Sequence, residues 1–182
     1  MRDNDRLLSL ATPPERVEPF RLWAEVEGRL GTRLPLDYKW LVDSYGAGSF
    51  DDFLYVLVPE SPFPAIRLEG EVVRAQASLE SLRRSSSSEV PYGEGELLPV
   101  AKTDNGDAVF WVMRPVADPE LWSIAVLEGR GVRWSDYAGG VVAFLADLLS
   151  GRHRISWFPD ELPSSDVAFQ PVPETPDVRR LR

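Results

Sequence analysis

Leu34-Pro35-Leu36-Asp37-Tyr38-Lys39-Trp40-Leu41-Val42-Asp43-Ser44-Tyr45-Gly46-Ala47-Gly48-Ser49-Phe50-Asp51-Asp52-Phe53-Leu54 reads as a short amphipathic helix, stopped by glycine, that feeds an acidic turn and then an apolar strand. Pro35 suits the first helical position, where its missing N–H would have no intrahelical partner. Tyr38, Leu41, Val42 and Tyr45 recur at i, i+3, i+4 and i+7, so they share one face. Trp40 lies off that face and is the best candidate for an exposed aromatic anchor. Gly46 can adopt the left-handed conformation that ends a helix. Asp51 and Asp52 form the acidic turn, and residues 53–58, Tyr55 among them, have the aromatic and β-branched composition of a buried strand.

Upstream, residues 1–11 read as a loosely held terminus. Thr12-Pro13-Pro14-Glu15 has capping-box spacing and predicts a turn of helix. A longer helix is expected from Pro19 to Leu30, with Gly31 ending it. Downstream, Val72, Ala75, Leu79 and Leu82 recur at helical spacing over 68–83, ahead of a polar Ser85–Ser88 linker. Residues 97–102 and 108–113 read as two strands joined by Thr103-Asp104-Asn105-Gly106-Asp107, where Asn-Gly accepts the positive φ of a tight hairpin. The second of these strands is apolar at every position, so both of its faces are expected to be covered. Residues 122–127 and 132–134 predict two more strands. A final helix is expected over about 137–149, capped by Asp136. After Phe158 the chain turns proline-rich, with Phe169 the one residue placed to pin it. The organisation expected is an N-terminal extension over 1–18, one domain over 19–159 and a tail over 160–182.

The length of 182 residues suits one domain with a real core. Thirteen glycines and 16 prolines predict many turns, and the absence of cysteine removes thiol catalysis, disulfides and zinc–thiolate sites. No apolar run approaches a membrane span, and the N-terminal residues lack the apolar core of a signal peptide, so a cytoplasmic protein is expected. A formal charge of −9 repels phosphate backbones and lipid headgroups. Direct binding to nucleic acid or membrane is therefore not expected, whereas a basic protein partner is.

Catalytic chemistry finds little support. The single histidine, His153, follows the last predicted helix and has no companions for a metal site or a serine triad. Gly46-Ala47-Gly48-Ser49 lacks the third glycine of a dinucleotide fingerprint and follows a helix instead of a strand. Acid–base hydrolysis would require two of Asp51, Asp52, Asp104, Asp107 and Asp136 to converge in a cleft. Solvated turn aspartates account for all five, so no enzyme activity, metal or cofactor is expected.

Several ordered pieces carry a family resemblance. They are Leu30-Gly31 before Leu34-Pro35 and Asp37-Tyr38, the turn Tyr45-Gly46-Ala47-Gly48-Ser49-Phe50, and Thr103-Asp104-Asn105-Gly106-Asp107 before a tryptophan-bearing strand. Trp134…Tyr137 and a closing helix with Phe144-Leu145 complete the series. From Trp23 to Phe158 the chain resembles the SUKH superfamily, which includes fungal cell-wall assembly regulators and bacterial toxin-immunity proteins. The resemblance implies an α+β single domain, a mainly antiparallel sheet with helices packed around it. It also implies a protein-binding role, either neutralising a toxin, a nuclease for example, or regulating several intracellular partners. For such a role the expected contacts are Asp51, Asp52, Asp104, Asp107 and Asp136, with Trp40 or Tyr55 as aromatic anchor.

Overall fold

The computed structural model describes residues 2–85, 89–129 and 133–172. Helices α1 (Asp3–Leu10), α2 (Trp23–Leu30) and α3 (Leu36–Tyr45) precede strands β1 (Gly48–Phe50) and β2 (Leu54–Val56). Helix α4 (Leu68–Arg84) follows, then β3 (Leu97–Thr103), β4 (Ala108–Val112), β5 (Ser123–Leu127) and β6 (Trp134–Tyr137). Helix α5 (Val141–Leu149) and strand β7 (Phe169–Pro171) close the chain. The seven strands make one sheet in the order β6-β5-β4-β3-β2-β1-β7, antiparallel throughout. This is the α+β single domain that the sequence predicts.

Both faces of β4 are covered, as its uninterrupted apolar sequence requires. Val109 and Trp111 join Ile124 and Val126 of β5 in the main core, with Tyr38, Leu41 and Phe144 from α3 and α5. Phe110 and Val112 turn the other way and meet Ala125, Leu127 and Leu79 of α4 in a smaller core. An aromatic row runs through the main core: Phe20 on Trp23, Trp23 on Tyr38, Tyr38 on Trp111, at centroid distances of 4.8, 5.8 and 4.8 Å. The buried Tyr38 hydroxyl donates to the Leu57 carbonyl (2.6 Å) and so ties α3 to the segment after β2.

Several local readings are corrected. Residues 3–10 are not loose: they form α1, whose Leu7 is fully buried and whose Arg6 pairs with Asp147 of α5. The Thr12–Glu15 turn of helix expected after it does not form, and α2 begins at Trp23 instead of Pro19. Pro35 occupies the cap position, one residue before the helix. The acidic turn is shorter than expected because Gly48-Ser49-Phe50 already pairs as β1.

Asp136 does not cap the last helix. It lies in β6 opposite Ala125, and the helix starts at Val141, after Gly139-Gly140. The cap comes from α3, where the Asp37 carboxylate accepts from the Val142 amide (3.2 Å) and a Cβ on Gly140 would collide with it. Burial pushes the Asp37 carboxyl up despite these backbone donors. The strand expected at 132–134 is displaced to 134–137; Val132, Ser86–Ser88 and residues 173–182 lie outside the described residues.

The segment 160–172 is pinned more firmly than a tail. Phe169 is buried against Phe50 and Tyr45, and β7 pairs with β1. Gly48 permits this approach, because a Cβ there would run into the Phe169 ring and the Gln170 carbonyl. Gly48→Ala is expected to cost about 1–3 kcal/mol through overpacking. Faster amide exchange at residues 169–172, with a lower urea midpoint, would register it; an unchanged midpoint would mean that β7 yields freely.

Candidate functional site

An antiparallel ladder returns alternate connections to the same end of a sheet. Two turns therefore gather at one end, 51–53 between β1 and β2 and 104–107 between β3 and β4, together with Glu128 and Gly129 after β5 and Arg133 before β6. Hydrogen bonds join them. The Asp104 amide donates to the Phe53 carbonyl (2.9 Å), and the Gly129 amide donates to Asp107 Oδ1 (2.9 Å).

The four aspartates of these turns divide into two kinds. Asp51 and Asp52 both have φ of 51°, a left-handed conformation that aspartate tolerates better than most residues. The Asp51 carboxylate accepts from the Ser164 amide (2.9 Å), the Ser164 hydroxyl (3.0 Å) and the Ala168 amide (3.1 Å), so it fastens the loop that leads into β7. Asp107 is 3% exposed. Its Oδ2 accepts from the Thr103 hydroxyl (2.6 Å) and its Oδ1 serves Gly129, so both oxygens are engaged inside the hairpin. Asp52 and Asp104, by contrast, are exposed at the turn tips.

Tyr55 lies beside this exposed pair. It is half-buried on β2, and its hydroxyl pKa is pushed up first by burial and then by the negative charges of Asp104 and Asp52. The arrangement therefore groups Asp52, Asp104 and Tyr55 on one surface, with Asp51 and Asp107 as internal supports. It presents negative charge beside an aromatic ring.

Trp40 and Asp136 belong elsewhere. Trp40 is half-buried on α3, edge-on to Tyr45 at 6.2 Å, and packs against the main core. Asp136 sits on the outer strand β6, where its carboxylate accepts from the Tyr92 hydroxyl. Four strand spacings separate β6 from β2, on the order of 19 Å. His153 packs edge-on to Tyr137 at 5.2 Å, and burial lowers its pKa. Among the described residues, no group of three or more His, Asp or Glu side chains could hold a metal ion, and no helix is long and apolar enough to cross a membrane.

Sequence reading missed a second exposed feature at the opposite end of the sheet. Leu36 and Leu121 are 66% and 64% exposed, and the Leu36 amide donates to Glu120 Oε1 (3.0 Å), which brings them near one another. The position of Leu36 off the Tyr38–Leu41–Tyr45 face was the available signal; Leu121 carried none.

A family model described as SMI1-KNR4 cell-wall, SUKH_6, matches residues 21–135, well over half of the chain. The chain belongs to the SUKH superfamily. A comparison with curated proteins found no match. The matched span runs from the start of α2 to the middle of β6 and contains Trp40 and all the turn aspartates just described. Membership in SUKH is consistent with an immunity-type or regulatory protein-binding domain. Within the SUKH domain, the family-like Asp37-Tyr38 pair has structural work: one residue caps α5 and the other bonds Leu57.

Proposed function

We propose that this SUKH domain is a non-enzymatic, cytoplasmic immunity protein that captures and neutralises a basic toxin domain. The observation that carries the reading is the exposed pair Asp52 and Asp104, set beside Tyr55 at one end of a chain with net charge −9. A nuclease toxin must present basic groups to its substrate, and an acidic surface meets them with opposite charge. Such complementarity raises association rates by roughly 10–10³ and fades with salt. Asp51 and Asp107 support the turns from within, and Trp40 and Asp136 lie outside the contact.

The test is affinity capture with the tagged protein from its own host at low and high salt, followed by mass spectrometry. A single basic, toxin-like protein released by salt supports the reading. With that partner in hand, Asp52→Asn combined with Asp104→Asn is expected to weaken the complex by about tenfold, mostly through slower association, with no change in urea midpoint. An unchanged affinity would remove this surface.

The SMI1-KNR4 cell-wall description of the matching model favours a second reading, an intracellular regulator with several partners. The C-terminal residues would then serve as a docking peptide. Removal of residues 173–182, beyond β7, separates the two readings. The immunity reading expects capture to survive, and the regulator reading expects it to fail.

A further inference from the structure

The face of the sheet away from the main core is covered by α4 and by Val90 and Tyr92 of the segment after it, and α4 leaves a groove of about 520 Å³ against β3, β4 and β5. Ala108, Phe110 and Leu127 of the sheet form its floor, and Ala75, Leu79 and Leu82 of α4 its wall. A volume between about 300 and 1,000 Å³, mostly apolar with a few polar groups at the edge, is the usual form of a small-molecule site.

Three carboxylates, Glu71, Asp107 and Glu128, and two cations, Arg74 and Lys102, line it. The Glu71 Oε1 oxygen accepts two bonds from the Arg74 guanidinium, at 2.9 and 2.6 Å. Lys102 Nζ lies 3.4 Å from that same oxygen, a long contact to an acceptor already held. An ammonium has three donors, so Lys102 keeps capacity to bind an anion. The other carboxylates lining the groove are engaged: Asp107 by Thr103 and Gly129, Glu128 by Arg133. Asp52 and Asp104 do not line it. Strand register sets Lys102 between Tyr55 of β2 and Ala108 of β4, so its side chain rises at the edge of the apolar floor.

We infer that this groove binds a small carboxylate with an apolar body, its chain over Phe110 and Leu127 and its carboxylate on Lys102. A polar anion such as phosphate would leave the floor uncovered, and an amine would lack the ion pair with Lys102. The turn tips Asp52 and Asp104 lie outside the groove, while Lys102 stands opposite Tyr55 in the ladder, so ligand binding is tested with no protein partner present.

The probe is decanoate, titrated into the full ¹⁵N-labelled chain, with decylamine and 1-decanol as controls. Decanoate is expected to shift the amides of Ala75, Ala108, Phe110 and Leu127 and to bind more tightly than either control. Lys102→Gln leaves Glu71 paired with Arg74, and is expected to weaken decanoate about tenfold while leaving decanol unchanged. Ala108→Trp fills the groove from its floor and is expected to abolish both. Shifts mapping elsewhere, decylamine binding as tightly as decanoate, or equal decanoate affinity in Lys102→Gln would each overturn the inference.

Discussion

Trp111→Ala is expected to lower the unfolding free energy by about 3–5 kcal/mol, the largest single effect among the substitutions considered. The residue is 0% exposed in the middle of β4. Tyr38 meets it edge-on at 4.8 Å and Trp122 at 6.1 Å. Its indole N–H has no acceptor among the described residues, so truncation loses packing and no hydrogen bond. The cavity would not collapse readily, because β3 and β5 hold β4 on both sides and the Tyr38 hydroxyl is fixed to Leu57. Trp111→Phe keeps most of the volume and removes the unpaired N–H, so its cost is expected to be less than half as large. Urea unfolding followed by far-UV circular dichroism measures both. A loss below about 1.5 kcal/mol for the alanine variant would mean that the aromatic row relaxes into the space.

The second large effect is expected at Asp107. Asp107→Ala removes the acceptor for the Thr103 hydroxyl and for the Gly129 amide. Leaving the buried Thr103 hydroxyl unsatisfied costs about 1–3 kcal/mol and losing the bond from the exposed Gly129 amide about 0.5–1.5 kcal/mol, so a total of about 2–4 kcal/mol follows. Asp52→Ala, two strands away on the same end of the sheet, removes no such bond and is expected to stay within about 0.5 kcal/mol of the parent. The contrast matters for function. Weakened partner capture by the Asp107 variant would reflect a disordered hairpin, and weakened capture by the Asp52 variant would reflect a lost contact. Thermal or urea unfolding measured beside affinity separates the two. Equal stability of the two variants would show that the Asp107 carboxylate does not hold the turns together.

Much of the fold was legible in the chain. The i, i+3, i+4, i+7 spacing of Tyr38, Leu41, Val42 and Tyr45 identified α3 and its buried face, and Gly46 marked its end with φ of 69°. The unbroken apolar run of β4 announced a strand covered on both faces, and Asn105-Gly106 announced its hairpin. The misreadings lie where local signals are weak or compete. Asp3–Leu10 is too short and polar to predict as a fixed helix, and it is held by Leu7 in the core and Arg6 on Asp147. Asp136 preceded a helical pattern, but pairing with β5 claimed it and the cap came from Asp37 across 105 positions of sequence.

The candidate site shows the same division more sharply. Asp51, Asp52, Asp104 and Asp107 are all turn aspartates, and nothing within a few residues of them tells one from another. Sequence by itself determined the turns, the strands that flank them, the acidic balance of the chain and the family, because these follow from neighbouring residues, composition and ordered motifs. Only the tertiary structure decided which carboxylates are free. Asp51 is bound to amides at Ser164 and Ala168, and Asp107 to the amide of Gly129 on another strand connection. Whether a carboxylate faces water or a buried N–H depends on which distant backbone the folded chain brings within about 3 Å, and hydrogen bonds act over no greater range.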